Sequence, residues 1–85
     1  MKLTVEDIEE GRIKRTLNFK GKDYTEIWEE YEYGYKTIND SIVTKMEKDD
    51  ICCEGTDIEM LLLNFNIDEF KEISDNEGEW CKWVN

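Results

Sequence analysis

Between Asp57 and Asn66 the chain sets Ile58, Leu61, Leu62 and Phe65 at positions i, i+3, i+4 and i+7, the spacing of one helical stripe. Few other aliphatic clusters exist in these 85 residues, so the stripe must supply much of any core. Thr56 or Asp57 can cap the helix, because a short polar side chain there accepts from an otherwise unpaired backbone N–H. Met60 and Leu63 carry apolar surface round most of its circumference, which predicts the most deeply buried element of the fold. The length allows a single domain, residues 1–85, around a single core.

The flanking segments read as follows. Leu3 to Gly11 suggests a short N-terminal helix: Thr4 caps it, acids fill its first turn, Val5 and Ile8 face inward, and Gly11 supplies a left-handed stop. From Arg12 to Phe19 the apolar residues Ile13, Leu17 and Phe19 alternate, as a half-buried strand requires. Lys20-Gly21 offers a tight turn into Asp23–Tyr33, where β-branched and aromatic residues favour a second antiparallel strand. A helix competes over that segment, with a capping box from Asp23 and Glu26 and a shared face of Tyr24, Ile27, Trp28 and Tyr31. Tyr35–Ile38 and Ile42–Met46 form either a hairpin or a strand followed by a short helix capped by Asp40. Phe70–Ser74 and Glu79–Val84, flanking Asp75-Asn76-Glu77-Gly78, read as a terminal hairpin, with a helix over Asp68–Ile73 as the alternative. The expected architecture is α+β: an antiparallel sheet packed against one main helix, 57–66, with a short helix at the N-terminus.

Absences narrow the function. No His is present, which removes Ser-His-Asp and Cys-His nucleophile pairs and the commonest zinc ligand. The five glycines stand singly, so no phosphate-cradling loop forms. The sequence points to no enzyme, no cofactor and no metal. Met1–Glu10 lacks the cationic and apolar regions of a signal peptide, and the longest apolar run, Met60–Leu63, is four residues. A cytoplasmic protein without membrane contact is expected. Cys52, Cys53 and Cys81 are an odd set without zinc-knuckle spacing and read as reduced thiols acting as small buried hydrophobes.

Charge is the remaining informative property. The chain carries 22 Asp and Glu against 11 Lys and Arg, a formal −11. Ten aromatics exclude a disordered acidic tail. Five bases and no acid lie within Arg12–Lys22, and five acids with no base within Asp23–Glu32. On adjacent strands these runs would neutralise each other and fix the pairing. Three acidic clusters remain outside that hairpin: Glu6 to Glu10, Glu47 to Glu59, and Asp68 to Glu79. Solubility alone asks for a net charge of about 2–8 in magnitude, so the excess implies attraction to a basic surface. Acids interleaved with aromatics combine steering with amphipathic anchors. Sheet core is the competing reading of Trp28 and Tyr31.

The expected function is that of a small acidic protein that binds and inhibits a nucleic-acid-binding partner, such as a nuclease, by docking on its basic surface. Its candidate contacts are Glu29, Glu30, Tyr31, Glu32, Tyr33, Tyr35, Glu47, Asp49, Asp50 and Glu54. Direct contact with nucleic acid is not expected, and the chain should be a monomer or weak homodimer. In size, acidity and lack of catalytic motifs it is similar to phage-encoded inhibitors of host defence, including anti-CRISPR proteins and DNA mimics. That likeness covers composition only and implies a bacterial host cytoplasm for a phage-encoded chain. An immunity or antitoxin protein blocking a basic toxin enzyme is the alternative, followed by a homo-oligomeric accessory protein.

Overall fold

The computed structural model describes residues 1–77 and 79–84, and the side chains of all of these except 74–77. Gly78, placed by the sequence in a terminal turn, lies outside the described residues, as do the carboxylates of Asp75 and Glu77. The chain opens on strand β1 (Lys2–Glu9), where a helix was expected. Leu3 and Val5 point into the core while Thr4 and Glu6 face the other side, the two-residue alternation of a strand. The Val5–Ile8 spacing suggested a helix, but β1 is paired along both edges, and that ladder overrides a short local preference. Gly11 is left-handed as anticipated (φ 75°), in the turn to β2 (Arg12–Phe19) rather than at a helix end.

Lys20 and Gly21, both with positive φ, then turn the chain into β3 (Lys22–Tyr31). Two left-handed residues make the hairpin turn whose twist matches that of the strands. The basic and acidic runs do lie side by side: Arg12 stands opposite Glu29 and Arg15 opposite Glu26. Strand β4 (Gly34–Thr37) completes a four-strand meander, and helix α1 (Ile42–Lys48) follows. Ser41, not Asp40, caps α1, its hydroxyl accepting from the Thr44 N–H at 3.1 Å. Helix α2 (Asp57–Leu63) is shorter than the expected 57–66: Ile58, Leu61 and Leu62 of the stripe are buried on it, but Asn64 ends it and Phe65 lies beyond, half-buried. The helix is buried on one side only. Met60 (60% exposed) and Leu63 (72%) face outward, against the expectation of burial all round.

Helix α3 (Ile67–Glu77) replaces the first half of the expected terminal hairpin. Asn66 starts it: its side-chain oxygen accepts the N–H groups of Asp68 and Glu69 at 2.9 and 3.3 Å, and both acids sit where the helix dipole favours negative charge. The final strand, β5 (Glu79–Trp83), pairs antiparallel with β1. The described strands form one antiparallel sheet in the order β4-β3-β2-β1-β5, and three helices rather than one main helix with a small partner complete the α+β fold. The core joins Leu3, Val5, Ile13 and Leu17 of the sheet to Ile42, Met46, Leu61 and Phe70 of the helices. Of the cysteines only Cys53 is buried, so the expectation of three buried thiols fails at Cys52 and Cys81.

One ion pair enters the core, Arg15 with Glu26. Arg15 shares the inward face of β2 with Ile13 and Leu17, and its guanidinium donates to Glu26 (Nε to Oε1, 2.7 Å) and to the Leu62 carbonyl (3.1 Å). It lies 4.6 Å from the Trp28 ring centre and 5.4 Å from that of Phe65. Burial pulls its pKa down, opposed by the Glu26 charge. No helix among the described residues is long and apolar enough to cross a membrane.

Candidate functional site

Two hairpins meet at one end of the sheet. Glu32 and Tyr33 make the turn between β3 and β4, with Tyr31 opposite Gly34. A two-residue turn leaves its side chains no layer to pack against, so Tyr33 is 82% exposed and Tyr31 44%. Their rings meet edge to face at 6.2 Å, and the Lys36 ammonium stands 5.5 Å over the Tyr31 ring. The Gly11 carbonyl accepts the Glu30 N–H at 2.7 Å, which ties the β1–β2 turn to this hairpin. A bulge between Asp7 and Glu9 interrupts the β1–β2 ladder and turns Ile8 outward, 45% exposed.

Arg12 holds the two hairpins together electrostatically. Its guanidinium donates to Glu29 at 3.0 Å and to Glu9 at 2.9 Å, and those partners raise its pKa, the Glu29 hydrogen bond first. Glu10 and Glu32 form no ion pair among the described residues. This end therefore presents carboxylates beside two phenol rings and one aliphatic side chain. Carboxylates give strong, charge-assisted hydrogen bonds to guanidinium and ammonium groups, and phenol faces attract the same cations. Lys36 over Tyr31 is an internal instance of the second contact.

Of the ten residues predicted from sequence, Glu29, Glu30, Tyr31, Glu32 and Tyr33 come together here. Glu29 is already engaged by Arg12. Tyr35 stands opposite Glu30, on the face of the sheet away from Glu29 and Tyr31, and is half-buried, with the Lys71 ammonium 5.1 Å from its ring centre. The hydrogen bond to Tyr35 holds the Lys71 pKa up.

The remaining four do not join this group. Asp49 ends α1 beside Lys22, at the far end of β3 from Tyr31. Ten strand residues span about 30 Å, in a molecule 34 Å in its longest dimension. Asp49 is also occupied: it accepts from Lys22 and, at 2.7 Å, from the Tyr24 hydroxyl, and these bonds pull its carboxyl below the usual range, Lys22 first. Asp50 is exposed in a left-handed conformation (φ 61°) after α1. Glu47 and Glu54 border a groove between α1 and α2.

Sequence reasoning set Glu9 and Glu10 in a cluster apart from Glu29–Tyr33, and it turned Ile8 inward. Reading Leu3 to Gly11 as a helix is what separated them. The β-branched Thr4, Val5 and Ile8 ahead of Glu10-Gly11 were the available signal for a hairpin that returns beside Glu30.

The chain matches no family model, no curated protein and no solved structure. Any functional reading therefore rests on this geometry.

Proposed function

We propose that this chain is a small acidic binding protein that docks its hairpin end on the basic surface of a nucleic-acid-binding protein, such as a nuclease, and blocks it by competition. Carboxylates of Glu10, Glu30 and Glu32 take positions that phosphates would occupy, and Tyr31, Tyr33 and Ile8 supply apolar anchoring area. One observation carries the reading: the 2.7 Å bond from the Glu30 N–H to the Gly11 carbonyl ties two acidic turns, each with exposed apolar side chains, together at one end of the sheet. Isolated acids on a solvated face need no such partner, but exposed aromatics among them match the composition of interface centres.

A net charge of −11 adds long-range steering, which speeds encounter with a cationic partner and repels nucleic acid itself. On this reading the chain works as a monomer or weak homodimer in the cytoplasm, that of a bacterial host if it is phage-encoded. The test is displacement. Once a partner is recovered from the host, the protein should release a fluorescent oligonucleotide from it, seen as falling anisotropy. A ternary complex with the oligonucleotide still bound would refute competition.

A further inference from the structure

The second surface is apolar at its floor and acidic at its rim. Between α1 and α2 lies a groove of about 250 Å³ lined by Val43, Cys53, Leu62 and Leu63, with Glu47, Glu54 and Glu59 around it. Glu47 and Cys53 line the same groove, and burial, with a further push from the Glu47 charge, raises the Cys53 thiol pKa. Leu63 is 72% exposed at one wall, and Met60 stands exposed on the same short helix. These are the apolar residues that the sequence pattern would bury and the fold does not.

We infer that this groove is a docking site for a basic amphipathic segment of another protein, a helix or peptide that seats one large apolar side chain on Leu62 and Leu63 while its Arg or Lys groups reach Glu47, Glu54 and Glu59. Charge complementarity selects that occupant. Among the described residues no cation lines the groove, so an acidic peptide or an anionic lipid surface would meet three like charges. A second copy placed groove to groove would set carboxylates against carboxylates. An apolar anchor between charged contacts is the pattern of helix-in-groove recognition, in which the apolar side chain gives affinity and the charges give orientation. The site lies on the helical layer and does not rest on the reading of the hairpin end.

The test uses the intact ¹⁵N-labelled protein, titrated with a synthetic helical peptide of leucine and arginine, and separately with its leucine–glutamate counterpart. Saturable shifts should appear at Val43, Cys53, Leu62 and Leu63 with the arginine peptide and be absent with the glutamate one. Leu63→Glu removes the wall of the groove at an exposed position and should weaken binding at least about tenfold. Its melting temperature, compared with the parent, verifies the fold, and Glu54→Lys provides a second variant that alters only the rim. Tyr33→Ala, at the hairpin end, should leave this titration unchanged. Equal binding by Leu63→Glu and Glu54→Lys, or shifts centred on Tyr31 and Tyr33 and lost in Tyr33→Ala, would overturn the inference. So would a concentration-dependent dimer of the parent that Leu63→Glu abolishes.

Discussion

Arg15 is the residue on which the register of the sheet turns. Its guanidinium and the Glu26 carboxylate are both buried, each the other's main counter-charge, with the Leu62 carbonyl as a third participant. Removing two charges from water costs several kcal/mol each, so the pair itself adds little net stability. Breaking it is another matter. Glu26→Ala should cost about 3–5 kcal/mol in denaturant melts, because Arg15 would keep a buried and uncompensated charge. The double variant Arg15→Met with Glu26→Leu should lose far less, since apolar side chains of similar size fill the same space. A one-residue slip of β3 against β2 would likewise strand Arg15, which makes the pair a register lock. The sequence contained half of this. Charge complementarity between the runs was legible, yet Arg15 counted as one more surface base, although the alternation of Ile13, Leu17 and Phe19 put position 15 on their face; what was not local is the Leu62 carbonyl that covers it.

At the scale of elements, α2 separates two uses of the same apolar residues. Leu61 is buried between sheet and helices, so Leu61→Ala should cost about 2–5 kcal/mol, a loss that thermal melts would show plainly. Leu63→Ala, at an exposed position, should stay within about 0.5 kcal/mol of the parent. Comparable losses for both would mean that α2 is buried on every side. The stripe was readable from spacing alone, because Ile58, Leu61 and Leu62 repeat with the helical period. Which apolar residues outside it stay exposed was not, since that depends on how many neighbours a seven-residue helix has. The ends of the chain went wrong for related reasons. β1 takes its conformation from β2 and β5, its neighbours in space, one of which is some 75 residues away in sequence. α3 depends on the Asn66 side chain, a single cap that outweighs the alternation of Phe70, Glu72 and Ser74.

At the scale of the whole molecule, the distribution of charge follows from the topology. On the open face of the sheet Lys2, Arg12, Lys14 and Lys36 stand among Glu6, Glu9, Asp23, Glu29 and Glu79, so the charges of that face nearly cancel. Among the described residues, most of the acidic surplus therefore lies on the helical side and at the ends of the sheet. Composition revealed the surplus, and the interleaving of acids with Trp28, Tyr31 and Tyr33 drew attention to one segment. Which acids are spent internally on Arg12, Arg15, Lys22 and Lys48 could come only from the folded arrangement. Glu10 and Glu32 form no ion pair among the described residues, and they lie about 30 Å along β3 from Asp49, which ends α1.

The claim that this end binds a basic macromolecular surface is tested most directly by calorimetric titration of the recovered partner, with the parent protein and with Glu32→Lys, at low and at high salt. Exposed carboxylates act within a screening length of about 8–10 Å at ordinary ionic strength. The parent should therefore lose at least about tenfold in affinity, about 1.4 kcal/mol, as salt rises. Glu32→Lys, altered at a solvent-facing turn that leaves the core untouched, should bind more weakly at low salt and show a shallower dependence. An affinity that is flat with salt and equal for the two proteins would contradict the account.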